Sequence, residues 1–176
     1  MLNWLKTRAE DRCKAKDLYG AIVTGARRPA FYSGCGVEDT PEGRYEMIAL
    51  HLFLVIDHLK GQGPEADRVA QRVMEAFVTD MDDSMREMGV GDLSVGKKVK
   101  RSTAGLYERF AAYRDAMAHG KANLAGQLAV YVPGLEGAPK GAAAIARFVE
   151  DSHARFAELA TGKVLAGTVP FADVQV

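Results

Sequence analysis

Apolar side chains recur three and four positions apart through most of this chain, and nowhere do they alternate long enough to line one face of a strand. That periodicity predicts an all-α fold: a single compact domain, 1–176, of about five to six helices. A first helix is expected over 5–26, with Leu18, Ile22 and Gly25 on one face, ending because Pro29 steers Arg28 away from helical backbone. Thr40 and Pro41 supply a cap and a first-turn residue for a helix running to about residue 60, and Gly61 and Gly63 close it. Pro64 and Glu65 open a third helix, whose Val69, Val73, Phe77 and Met81 fall every fourth position. It should end near Gly89. Ser94 is the expected cap of a fourth helix carrying Val99, Leu106, Phe110, Tyr113 and Met117, which Gly120 breaks. A short helix over 123–130 and a last one over 139–160 complete the pattern. From Gly162 the signals fade, so 162–176 reads as a mobile tail.

Composition changes little in this picture, whereas charge changes it more. With 48% hydrophobic and 26% charged residues among 176, the chain suits one core. Cys13 and Cys35 stand far apart and form no CxxC pair, so no disulfide framework or zinc site is indicated. The apolar run 47–56 contains His51 and is about half the ~20 residues of a membrane span. The first residues read as neither signal nor transit peptide, although Met1, Leu2, Trp4 and Leu5 beside Lys6 and Arg8 would suit a short amphipathic foot on a lipid surface. The simpler reading docks that turn on the core. The formal charge of zero hides opposite blocks: 65–92 holds eight acidic and three basic side chains, 93–121 seven basic and two acidic. These blocks either neutralise each other within the fold or face outward as docking patches; internal neutralisation is favoured.

Candidate chemistry is sparse. Gly91 to Lys98 comes within one residue of a phosphate-binding loop, but Lys98 replaces the hydroxyl that would hold magnesium, and no buried strand precedes it. What survives is an anion-attracting helix start with Lys97, Lys98, Lys100 and Arg101, weighed against an ordinary solvated face. His51 and His58 lie two turns apart, too far to chelate one metal, and His119 and His153 lack ligand partners in sequence. No metal, cofactor or catalytic site is expected. Met74, Met81, Met85 and Met88 share one side of a helix, which serves core packing first and an adaptable client groove second. Asp80, Asp82, Asp83 and Glu87 surround Arg86 near a helix C-terminus, where the macrodipole disfavours them, so a compensating cation is required.

Three stretches together resemble the ubiquinol–cytochrome c chaperone family. They are Leu18-Tyr19 with Ala26-Arg27, Pro29 and Phe31-Tyr32; Val37, Asp39-Thr40, Gly43-Arg44, Met47 and Leu50-His51; and Asp82 with the run Arg86-Glu87-Met88-Gly89-Val90-Gly91-Asp92. The likeness covers 18–113, leaving both ends specific to this protein or its near relatives; Glu108 stands where the family pattern has glycine. The resemblance implies an all-helical, non-enzymatic assembly factor of bacterial type. It would receive newly made cytochrome b and pass it toward the cytochrome bc complex, working in the cytoplasm, peripherally at the inner face of the membrane, with the ribosome or a further assembly factor as additional partners. Its client-binding residues are expected to be Arg27, Phe31, Tyr32, Asp39, Arg44, Arg86, Glu87 and Asp92, gathered around the loops that join the first four helices. Arginine and aromatic side chains on loops make strong anchors, while charged pairs add specificity. The same residues could instead pin the loops to one another. A competing reading makes the basic surface from Lys97 to Arg101, with Arg27 and Arg28, an adaptor for ribosomal or other RNA.

Overall fold

The computed structural model describes residues 2–89 and 91–175, with side chains from residue 6 onward apart from those of 92 and 93. The proposed amphipathic foot therefore lies outside the described side chains. Among the described residues, seven α-helices form one domain and no strand occurs. They are α1 (Leu2–Ala26), α2 (Pro41–Leu59), α3 (Pro64–Glu87), α4 (Asp92–Ala118), α5 (Lys121–Tyr131), α6 (Pro139–Glu158) and α7 (Thr161–Leu165).

Helix α2 is the centre. Met47 and every residue from Ala49 to Val55 are buried, so this helix is apolar all round and its neighbours wrap it. Thr40 caps it as expected, its hydroxyl oxygen accepting the Gly43 N–H at 3.1 Å. Around α2, the other helices present one stripe each: Ala15, Leu18, Ile22 and Ala26 from α1, Val69, Val73, Phe77 and Met81 from α3, Leu106, Phe110 and Tyr113 from α4, and Ile145, Phe148, Val149 and Phe156 from α6.

Side-chain pairs fix the directions. Asp11 meets Arg68 and Tyr19 meets Asp80, so α1 and α3 run parallel. Tyr45 meets Ser102, Glu46 meets Arg109 and Asp57 meets Arg114, so α2 and α4 run parallel too. His51 against Phe148 and His58 against Phe156 align α6 with α2.

Two expectations are corrected. Ser94 does not cap α4: its N–H bonds Gly91 O at 2.8 Å inside the first turn, and Gly91 takes the cap position with extended backbone. The cap is thus Gly91, and the helix starts three residues earlier than expected. The second concerns 139–160, expected as the last helix with only a tail after it. Thr161–Leu165 form α7 with Val164 and Leu165 buried, and the extended segment beyond it lies on the bundle with Ala172 1% exposed. Val169, Phe171, Ala172 and Val174 follow no helical or strand period, yet they are enough to fill a groove.

Candidate functional site

Because α1 and α3 run one way and α2 and α4 the other, the C-termini of the first pair and the N-termini of the second meet at one end of the bundle. The connection 27–40 and the turn between α3 and α4 both lie there, which brings the sequence-predicted residues to a common end.

The connection is held by backbone against backbone. After Pro29 the chain makes one π-helical turn, Ala30–Gly34, closed by Cys35 N–H to Ala30 O at 3.1 Å. Glu38 N–H then bonds Pro133 O at 3.0 Å, tying it to the segment between α5 and α6. Two glycines make the approach feasible: a Cβ on Gly141 would sit 1.7 Å from Cys35 O, and one on Gly134, whose φ is +93°, would sit 2.2 Å from Gly36 O. Phe31 is wholly buried, its ring 5.3 Å from His51 and 5.1 Å from Phe148. Of the two roles expected for these residues, binding a client or pinning the loops to one another, Phe31 takes the second, since it has no exposed surface.

Four of the predicted residues share the outer surface of this platform. Tyr32 is half-buried and donates its hydroxyl to Ala26 O at 3.0 Å. Arg44 pairs with Asp39 at 2.6 Å, both exposed, and this hydrogen bond holds the Asp39 carboxyl below its ordinary range. Burial raises the Tyr32 phenol, Asp39 adds to the rise, and Arg44 and Arg27 oppose it, so all three charges lie around the ring. Exposed Arg27 also acts on Tyr19, whose phenol is raised by burial and by the 2.6 Å hydrogen bond it donates to Asp80 of α3. Exposed ion pairs such as Asp39–Arg44 add little to stability.

The other predicted residues stand on the α3–α4 hairpin. Arg86 pairs with Asp82 at 2.7 Å one turn back, which partly compensates the acidic helix end, and Glu87 is exposed. Asp92 opens α4, but its side chain, like all of Val90, lies outside the described residues. Lys97, Lys98, Lys100 and Arg101 are all exposed along the first turns of α4. Met81 is buried and Met74 and Met85 pack against the core, while Met88 is 57% exposed, so the methionine row is mainly core with one thioether at the tip.

Sequence reasoning missed a set of buried polar groups behind the platform. Glu46 is held by Arg109, with Nε and Nη2 both reaching Oε1, at 3.0 and 2.7 Å, and Nε lying 2.8 Å from Oε2. The guanidinium also lies 4.8 Å from the Tyr131 ring centre. Burial pushes the Glu46 carboxyl up despite Arg109, and it drives the neighbouring Tyr45 phenol up to about 12. The signal was available: Glu46, Leu50, Phe53 and Asp57 step by four, three and four, an apolar stripe with an acid at each end, matched on α4 by Arg109 and Arg114. His51 is fully buried, with Nδ1 2.8 Å from Met47 O, and desolvation pushes its pKa down to about 3, so the ring is neutral. That agrees with a hydrogen-bonded core histidine.

Residues 33–171 match the sequence model of a family described as ubiquinol-cytochrome C chaperone. The chain belongs to that family. A crystal structure of the Cbp3 homolog from Brucella abortus is 34% identical and superposes with a TM-score of 0.87, covering 99% of this chain and 98% of that one. Nothing among curated proteins matches. The family match carries the likeness past 113 and through α5, α6 and α7, where the sequence had been read as specific to this protein. Membership gives the chain a ubiquinol–cytochrome c chaperone role. No helix among the described residues is long and apolar enough to cross a membrane.

Proposed function

We propose that the chain binds newly made cytochrome b and holds it for assembly into the cytochrome bc complex, acting without catalysis. The observation that carries this is the family match over 33–171, which includes Asp39, Arg44, the hairpin and α2 to α7, while Arg27 and Tyr32 stand just before it. The platform patch of Arg27, Tyr32, Asp39 and Arg44 sets the register of the client through charge, and the hairpin tip adds Met88 as an adaptable apolar contact. Arg86, Glu87 and Asp92 extend the charged pattern along the hairpin. Tyr32 is the aromatic anchor, taking the place that the buried Phe31 leaves.

Affinity capture of the tagged chain from respiring cells, followed by mass spectrometry, tests the proposal. Cytochrome b is expected with the wild type and is lost with Asp39→Lys plus Arg44→Glu. Its absence from the wild-type capture refutes the reading. A second reading rests on the exposure of Lys97, Lys98, Lys100 and Arg101, which would suit the phosphates of RNA. Recovery of ribosomes alone, with binding that falls steeply as salt rises, puts that reading ahead.

A further inference from the structure

The extended segment 168–175 crosses a groove between α1, α2 and α6, and the way it is held is that of a bound peptide. Its contacts through main-chain atoms run to side chains of the groove. Ala172 N–H donates to Ser152 Oγ at 3.0 Å, Arg28 Nη1 donates to Ala172 O at 2.8 Å, and Arg155 Nη1 reaches Phe171 O at 3.4 Å. Ser152 is fully buried and faces this backbone from α6. Bonds to main-chain groups can be made by any polypeptide in this conformation; only the side chains select.

Two side chains do the selecting. The Phe171 ring stands edge-on to His51 at 4.7 Å and packs against Phe156 at 5.8 Å. Its bed requires Gly25, since a Cβ there would lie 2.9 Å from the ring. Ala172 is 1% exposed, its methyl enclosed by the groove. The segment also leaves hydrogen-bonding groups of the groove unmet. His51 Nε2 and Arg28 Nη2 are buried beside it and have no partner among the described residues. His51 is fully buried, so an unmatched ring nitrogen there marks a groove that its present occupant satisfies incompletely.

We propose that this groove is a peptide-binding site that the chain's own C-terminal segment occupies in cis, and that an extended client segment carrying an aromatic residue followed by a small one displaces it. The nature of that client rests on the chaperone reading; the exchange itself does not. The attached segment competes at a high effective concentration, which keeps the aromatic groove covered until a segment that satisfies it better arrives.

The test uses the full chain and a fluorescein-labelled nonapeptide with the sequence of 168–176, followed by fluorescence anisotropy. Phe171→Ala weakens the attached competitor and should tighten binding of the peptide at least tenfold relative to wild type. Adding Ser152→Ala should remove most of that gain. A peptide with alanine in place of its own phenylalanine should not bind. Hydrogen exchange of the wild-type chain supplies a second measurement: the Ala172 amide should exchange on the order of a hundredfold faster than the amides of α6, because the segment opens without the bundle. A folded Phe171→Ala chain with no gain in binding overturns the proposal. So does a Phe171→Ala chain that no longer folds cooperatively, or an Ala172 amide as slow as those of α6, because the segment would then be part of the core. Cytochrome b capture fails or succeeds independently, so the groove and the client reading are judged apart.

Discussion

Two connections lie at the same end of this bundle and are built on opposite principles. The platform 27–40 is pressed against α6 so closely that glycine alone fits at 134 and 141, and its aromatic Phe31 is spent on the core. The α3–α4 turn has Gly89 at φ +81° and then a run of exposed charge, with Met88 the large apolar side chain exposed at its tip. The first connection holds a fixed charge pattern; the second projects side chains that can rearrange on contact. Under the proposed function one client must be recognised in unfinished shapes, and this pairing would divide recognition and tolerance between neighbouring segments.

The sharpest way to break that contrast is Gly141→Ala, which drives a methyl into Cys35 O. It should cost about 4 kcal/mol or more, because backbone must move, and urea unfolding will show it. A small loss would mean that the platform is not clamped. Glu46→Ala comes next. It strands Arg109, which is 21% exposed, behind the platform and should cost about 3 kcal/mol, whereas Glu46→Gln should cost less.

Acid should loosen the platform from beneath through His51. Its folded pKa of about 3 lies below the ordinary 6.5, so its contribution is complete above pH 6.5 and declines as pH falls toward 3. At pH 5 the loss should be ~2 kcal/mol, and His51→Leu should flatten that part of the pH–stability curve. The smallest effect on folding is expected on the hairpin, where Glu87→Lys with Met88→Ser should leave the urea midpoint unchanged. If client capture also stays unchanged, the hairpin has no share in recognition and the division of tasks fails.

Helices α1 to α6 were legible because each carries an apolar stripe and punctuation of its own, as with Thr40 before Pro41 or Gly120 between two helices. The end-face grouping of Arg27, Tyr32, Asp39 and Arg44 was legible through family likeness, since charges on loops carry no period. Whether Phe31 pins the loop or faces a client was open in the sequence for a related reason: a single aromatic in a loop gives no indication of which way it turns until α6 is packed beside it. The Glu46–Arg109 pair was signalled only by charges bounding the apolar stripes of two helices 63 residues apart, and the seat of Phe171, more than 100 residues from His51, had no local signal. The segment 168–175 lacks any helical or strand period, so its order comes wholly from the surface it lies on.

The clamp on Cys35 gives the chain a built-in reporter. Cys13 is exposed on α1 while Cys35 is 1% exposed, with burial raising its thiol pKa and its carbonyl pressed to Gly141. A thiol-reactive dye should therefore count one cysteine on the closed protein. A second equivalent would be consumed only when the platform lifts from α6, so the labelling rate during client release would time that event without any engineered residue.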